Sequence, residues 1–342
     1  MGATQILSTA VNAVVPILLL ILLGYWLRRI GFINENFVRI GNKLVFNVCL
    51  PIMLFINVYD TEGFASIKWD VVIYTVAVIC LLFVISFAIA MAGTKVPERR
   101  GVIMQCVYRS NFAIIGVPLA GALGGGEAMM MTAMLSAFSI PAFNIFSVIS
   151  LTIFMKDKET GKIDVKETCL NILKNPLIIG VVSGLAALGL RQLQADLLGG
   201  IKFSLSRDVK FLYQALCSLK DITSPFALIV LGGQFTFSAV KGAFREIAIG
   251  TVSRVALAPI VGIGLAVLLS TYTDILHCGV NEYPALIALF GSPMAVSGAV
   301  MASAMKNDEQ LATQLVVWTS VCSILTIFLT VCIMMPAGLL AA

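Results

Sequence analysis

The chain has 342 residues, of which 59% are hydrophobic and 12% are charged, and its mean hydropathy is +0.99. This composition is far more apolar than that of a soluble domain and indicates an integral membrane protein with room for about ten spans of about 20 residues each. The formal net charge of +5 is scattered between apolar segments, which excludes a basic surface for nucleic acid.

Apolar runs between charged or turn-rich breaks predict an all-α polytopic membrane protein of ten helices. The first run lacks a basic leader and a cleavage motif, so we expect a retained helix and not a signal peptide. Arg109, Ser110 and Asn111 interrupt the fourth run. The predicted spans are 5–27, 36–58, 69–92, 101–123, 127–155, 169–190, 211–236, 247–270, 284–305 and 309–335.

The two halves of the chain carry the same pattern of helix breakers. The first break, Gly116-Val117-Pro118, ends 67 residues after Pro51. The second break, Gly291-Ser292-Pro293, ends 68 residues after Pro225. Five spans per copy would insert the second copy upside down, which predicts a five-plus-five inverted repeat typical of secondary transporters. Further matching pairs are Pro16 and Gly24 with Pro176 and Gly184, and Asn47 before Pro51 with Asp221 before Pro225.

The repeat predicts a single membrane domain made of residues 1–155 and 169–342, joined by a cytoplasmic linker at 156–168. Thirteen Lys and Arg residues lie in or beside the connections after odd-numbered helices, and five lie in the other connections. The positive-inside rule therefore predicts cytoplasmic odd-numbered connections and two outward-facing termini.

Each Gly-x-Pro break is expected to split its helix, because proline cannot donate to the helical ladder and glycine leaves helical geometry easily. If the breaks cross near the midplane, the half-helix N-termini favour an anion and the free carbonyls suit a cation. Two ordinary proline kinks are the alternative. The candidate substrate-binding residues are Arg109, Ser110, Asn111, Gly116, Pro118, Gly291, Ser292 and Pro293.

Arg109 lies about eight residues inside its predicted span, where an unpaired charge costs several kcal/mol. Its guanidinium suits bidentate binding of a carboxylate, and the alternatives are snorkelling or an ion pair with Asp221. Asn111 lies at the break itself. Other amides in the spans often only join helices, and these are Asn42, Asn47, Asn144 and Asn175.

Asp221 is the only carboxylate deep in a predicted span, which makes it a candidate for coupling to H⁺ or Na⁺. Lys43, on the symmetry-related helix, or Arg254 is its expected partner, with Asn47 as a supporting amide. A purely structural salt bridge is the alternative.

An enzyme is not expected. The single histidine, His277, lies in a predicted outer loop, there is no H-E-x-x-H motif, and Ser297 lacks the surroundings of a serine nucleophile. The eight cysteines form no C-x-x-C pair, so neither a metal site nor a resident cofactor is expected.

Several segments resemble the auxin efflux carrier (AEC) family, which includes plant carriers and bacterial permeases for malate or malonate. The most specific match is Asn111 through Gly116-Val117-Pro118-Leu119, which is similar to the family's N-x-x-x-x-G-x-P-L signature. The other matches are Asn42-Lys43-Leu44-Val45 through Pro51, Asn175-Pro176, Asp221 with Leu231-Gly232, and the segment from Pro293 to near Ala302.

The resemblance implies the fold of sodium/proton antiporters, with helices 1, 2, 6 and 7 as a scaffold and the others as a moving transport domain. It also implies an organic anion whose carboxylate meets Asn111 at the crossover helices, an elevator mechanism and a homodimer. The short linker favours a prokaryotic-type permease of the bacterial inner membrane. Arg109 replaces an apolar residue of the plant carriers, which favours a smaller and more highly charged anion than auxin.

The leading hypothesis is thus a secondary transporter of a small organic anion, a carboxylate or a dicarboxylate such as malate or malonate. Its expected partners are that anion and the lipid bilayer, and no nucleic acid. The alternatives are a sodium-coupled symporter of a larger organic anion, a membrane ligand sensor that does not transport, and a channel.

Overall fold

The computed structural model describes residues 3–60, 68–155, 174, 176–198, 203–235 and 238–340. Regular structure in these ranges is helical, apart from an isolated antiparallel bridge between Ser110 and Met294. The predicted linker at 156–168 and Asn175 lie outside the described residues.

Eleven main helices follow one another in the described part of the chain, and a short turn of helix, Leu205–Asp208, precedes the seventh. In chain order they are α1 Ala3–Arg29, α2 Glu35–Tyr59, α3 Trp69–Gly93, α4 Pro97–Tyr108, α5 Val117–Thr152, α6 Pro176–Leu198, α7 Lys210–Gln234, α8 Gly242–Tyr272, α9 Glu282–Gly291, α10 Val296–Ala304 and α11 Glu309–Met334.

Seven of these helices are long and apolar enough to cross a membrane, namely α2, α3, α5, α6, α7, α8 and α11. The prediction of an all-helical membrane protein with several spans is therefore confirmed. The predicted fourth and ninth spans are each divided, into α4 and the start of α5 and into α9 and α10. Their parts are too short to cross a membrane separately.

Local sequence explains where several helices begin and end. The side chains of Asn34 and Asp308 accept hydrogen bonds from Phe37 N and Leu311 N, both at 2.9 Å, and so cap α2 and α11. Gly31 adopts a φ of 76° just after α1, a left-handed conformation that suits glycine at a helix end.

In the described ranges, four π-helical turns interrupt this regular pattern: Val45–Cys49 within α2, Phe112–Gly116 before α5, and Ser253–Leu257 and Ile260–Gly264 within α8. Such turns often mark functional positions. α5 also leaves helical geometry at Gly125, where φ is 69° and ψ is −155°. This kink lies between the predicted fourth and fifth spans.

Helices α1, α2, α6 and α7 form one packed group, which we call the first helix group. α1 packs along α7, and α2 packs along both α6 and α7. Glycines permit this close approach, because a Cβ atom at Gly24 would lie 2.0 Å from Ile229 O and one at Gly180 would lie 2.6 Å from Pro51 O.

The remaining helices, α3 to α5 and α8 to α11, form the second helix group. α9 is buried along its whole length, and it packs against α5 and α11. The two groups meet where α1 contacts α11 and where α7 contacts α10. The breaks that divide α4 from α5 and α9 from α10 both belong to the second group.

Candidate functional site

The two helix breaks pair with each other through their backbones. Asn111 N donates to Pro293 O at 2.8 Å, and Ala295 N donates to Arg109 O at 3.3 Å. Ser110 and Met294 form the bridge between these two hydrogen bonds. Two extended segments from distant parts of the chain therefore run antiparallel where both helices are interrupted.

Each break places two helix ends of opposite polarity beside the other break. The π-helical turn that starts at Phe112 and the helix that starts at Val296 present their N-termini, while α4 and α9 present their C-termini. A helix terminus carries the equivalent of about half an elementary charge, positive at the N-terminus and negative at the C-terminus. The pair of breaks thus has both a positive and a negative side.

A cavity of about 40 Å³ lies beside the breaks, between the two helix groups. By this measure a single buried water needs about 10–15 Å³, so there is room for a few waters or for the polar end of a small ligand. The described residues that line it include no acidic side chain. The lining residues are Leu50, Met53, Leu54, Arg109, Ser110, Asn111, Ile140, Phe143, Asn144, Thr223, Ser224, Ala227, Ala295, Val296 and Ser297.

Among the lining residues in the described part of the chain, Arg109 alone is charged, and it is only 3% exposed. Its Nη2 atom donates to Asn144 Oδ1 and Ser297 Oγ, both at 2.8 Å, and its Nη1 atom lies 2.6 Å from Met301 Sδ. All three partners are neutral. The predicted ion pair with Asp221 is not formed in the described structure, and the guanidinium does not snorkel to a surface.

Ser110 and Asn111 add unused hydrogen-bonding capacity to the cavity. They are 4% and 3% exposed, and neither Ser110 Oγ nor Asn111 Nδ2 has a hydrogen-bond partner within the described ranges. Buried polar atoms are rarely left unpaired, so these two are candidates to bind water or a ligand. Together with Arg109 they provide a cluster of potential donors.

The other predicted site residues at the breaks are backbone elements. Gly116 ends the π-helical turn before α5, and Pro118 is the second residue of α5. Gly291 ends α9, the hydroxyl of Ser292 donates back to Ala288 O, and Pro293 accepts from Asn111 N. The structure therefore brings both breaks together, but the second break contributes cavity-lining side chains from Ala295 onward.

The predicted coupling residues do not lie at the cavity. Lys43, Asn47 and Asp221 are exposed, and Asn47 Nδ2 donates to Lys43 O at 2.8 Å within its own helix. In the described structure Asp221 forms no ion pair with Lys43 or Arg254. A polar residue within an apolar run reveals its depth but not its face, which is why the expected pairing was wrong.

Two residues in contact with Arg109 were not assigned to the site from the sequence. In the sequence Asn144 is one of several amides in predicted spans, and Ser297 is a serine without the surroundings of a nucleophile. Both are remote in sequence from Arg109, by 35 and 188 positions. The only available signal was that a polar residue in an apolar helix requires a partner.

Arg254 occupies the opposite, negative side of the paired breaks. It is fully buried in the π-helical turn Ser253–Leu257. Its guanidinium donates to four backbone carbonyls at the ends of α4 and α9, with distances from 2.6 to 3.2 Å. The acceptors are Val107 O, Leu289 O, Phe290 O and Ser292 O.

Sequence comparisons relate the chain to known membrane transport proteins. A family model described as "Membrane transport protein" matches residues 9–331. An uncharacterized transporter of Methanocaldococcus jannaschii is 23% identical over 327 residues, which cover 93% of this chain and 96% of the relative.

Proposed function

Because the chain belongs to the auxin efflux carrier family of membrane transport proteins, we propose that it is a secondary transporter of a small organic anion. The proposal rests on one observation above all: among the described residues that line it, the cavity at the breaks has a buried arginine and no acidic residue. A site of this kind attracts an anion and repels cations.

The local charge favours a dicarboxylate such as malate or malonate. Arg109 contributes one positive charge, and the two half-helix N-termini contribute about half a charge each. Their total of about two positive charges matches two carboxylates. Asn111 Nδ2 and Ser110 Oγ are free to bind the carboxylate that Arg109 does not.

The position of the cavity supports an elevator mechanism. The first helix group contributes mainly apolar residues and two hydroxyls, including Leu50, Met53 and Thr223, while the second group contributes Arg109 and Asn111. A mostly apolar wall makes few directional contacts that sliding would break. The ligand would therefore travel with the second group past the first.

The five-plus-five inverted repeat, which we also propose, has support in the packing of the first group. Gly24 of α1 approaches the backbone of α7, and Gly184 of α6 approaches the backbone of α2, with its Cβ position 3.0 Å from Phe55 O. These two glycines were matched by the repeat in the sequence. Equivalent residues thus make equivalent contacts.

We further propose a homodimer in the bacterial inner membrane with both termini outside. Asp221 and Lys43 lie exposed on α7 and α2, where contact with lipid would be costly. A second copy that covers the exposed surfaces of α2 and α7 would shelter both side chains.

Asp221 remains our candidate for coupling transport to H⁺ or Na⁺. Uptake measured under a proton gradient and under a sodium gradient separately tests each form of coupling.

The test of the site is uptake into proteoliposomes by single variants. Arg109→Ala and Asn111→Ala are expected to abolish saturable uptake of malate and malonate, because each removes a donor from the buried anion site. The matched controls are Arg100→Ala, in the helix that ends just before Arg109, and Asn36→Ala, at an exposed helix end. Wild-type uptake by both site variants would refute the assignment.

Counterflow separates a carrier from the other functions. Substrate loaded on the far side should accelerate uptake by a carrier, because the loaded site returns faster than the empty one. A channel gives no acceleration, and a sensor binds the anion without uptake. Repeating the assay with sodium replaced by choline tests the sodium-coupled alternative.

A further inference from the structure

The carbonyl cluster around Arg254 has the composition of a cation site. In transporters with broken helices, half-helix C-termini and unwound carbonyls are the groups that coordinate a coupling cation. Here the ends of α4 and α9 direct four carbonyl oxygens at one guanidinium. Four of its five N–H donors are thereby used.

The charges at this position also balance. An isolated buried guanidinium is costly, and no acidic side chain pairs with Arg254 within the described residues. The two helix C-termini supply the equivalent of about half a negative charge each, which together offset one positive charge. The same carbonyls would otherwise be unsatisfied inside the protein, since Pro293 and the extended segments end the helical ladders.

We propose that the Arg254 side chain is a built-in cation that occupies the carbonyl site of the paired breaks. Transport through the neighbouring cavity is then independent of Na⁺ at this position, because the site cannot hold a second cation. This consequence rests on the proposed function. The occupancy of the carbonyl site by Arg254 does not, and it is tested without any substrate.

The first arm uses the wild-type protein. We expect its thermal unfolding temperature in detergent to be the same in sodium chloride and in choline chloride of equal ionic strength. Uptake of malate into proteoliposomes should likewise not change when choline replaces sodium. The variants Lys43→Ala and Asp221→Ala test whether any effect of sodium arises at that exposed pair. If sodium raises the unfolding temperature and still does so in both variants, the proposal is overturned.

The second arm empties the site. Arg254→Ala should lower the unfolding temperature by several degrees, and low millimolar guanidinium chloride should restore most of this loss by refilling the carbonyl cluster. Arg245→Ala is the matched control, because Arg245 lies in the same helix but is exposed and donates to one carbonyl, Ala92 O at 3.2 Å. Guanidinium should not stabilise that variant.

Equal responses of the two variants to guanidinium would overturn the proposal. If Arg254→Ala cannot be purified even with guanidinium present, Arg254→Lys decides. Its ammonium keeps the charge but not the planar fork, so we expect a partial loss of stability that guanidinium does not restore. Wild-type stability of Arg254→Lys would also support the proposal, because an ammonium would then satisfy the carbonyls as a built-in cation. Stabilisation of Arg254→Lys by guanidinium would overturn it. Failure of malate uptake alone would refute the proposed substrate and leave the stability results valid.

Discussion

The Arg109 guanidinium is held in one orientation by neutral side chains. Asn144 and Ser297 each accept a hydrogen bond from Nη2, so the arginine is positioned while its charge stays uncompensated. A carboxylate at either position would pair with the arginine and compete with the substrate. The neutrality of these partners is therefore as important as the hydrogen bonds that they form.

This arrangement leads to a prediction for Asn144. Asn144→Ala should weaken malate binding about tenfold, because a hydrogen bond to a charged group contributes about 1.5–3 kcal/mol. Asn144→Asp, although nearly the same shape, should weaken binding further, since its carboxylate neutralises Arg109. Binding is measured by isothermal titration in detergent.

The unfolding temperature serves as the control for these two variants. Asn144→Asp should remain folded, because a buried ion pair forms where a neutral contact existed. Binding by Asn144→Asp that equals or exceeds binding by Asn144→Ala would contradict the proposed role of the arginine charge.

At the scale of helices, α1 and α7 can cross closely because each has a glycine at the contact, Gly24 in α1 and Gly232 in α7. A Cβ atom at Gly232 would lie 2.0 Å from Ile21 O and 2.9 Å from Tyr25 N, in rigid backbone of the neighbouring helix. Such contact cannot be relieved by turning a side chain. The helices would have to separate.

Gly232→Ala is therefore expected to destabilise the protein by about 2 kcal/mol or more. Gly189→Ala in α6 is the matched control, since no described atom beyond its chain neighbours and its own helical backbone lies within 4 Å of its Cβ position. Alanine also favours a helix over glycine by about 1 kcal/mol. Thermal unfolding in detergent compares the two variants. Equal stability would show that α1 and α7 do not approach as described.

The sequence predicted the helix breaks better than it predicted the side-chain contacts. Glycine and proline act locally, so Gly291 and Pro293 mark a break that the backbone confirms by leaving helical geometry after α9. The contact of Arg109 with Ser297 depends on how distant helices meet, which local patterns do not specify. The exposure of Asp221 depends on how its helix is rotated about its axis. The hydropathy of a span predicts that a helix crosses the membrane but not which side of it faces outward.

For the whole molecule, the predicted topology places the connections after α1 and α8 on opposite sides of the membrane. Phe32 and Ile275 lie in these connections and are 78% and 71% exposed. With the eight native cysteines replaced, Phe32→Cys should react with a membrane-impermeant maleimide only after permeabilisation, and Ile275→Cys should react in intact cells.

Labelling of both positions from the same side would mean an even number of crossings between them and would refute the ten-span arrangement. The reverse pattern would keep the number of spans and invert the orientation. A cysteine placed at Leu19, which lies inside α1 and is 58% exposed, should react in neither condition if that face contacts lipid.

The two hydrogen bonds that join the breaks have a consequence for motion. Asn111 N to Pro293 O and Ala295 N to Arg109 O connect stretches of chain that are more than 180 positions apart. Sliding one break along the other would break both hydrogen bonds and leave four buried backbone groups without their partners. The junction between the two breaks is therefore rigid. Any movement that turns the cavity toward the opposite side of the membrane has to carry both broken helices together as one rigid unit.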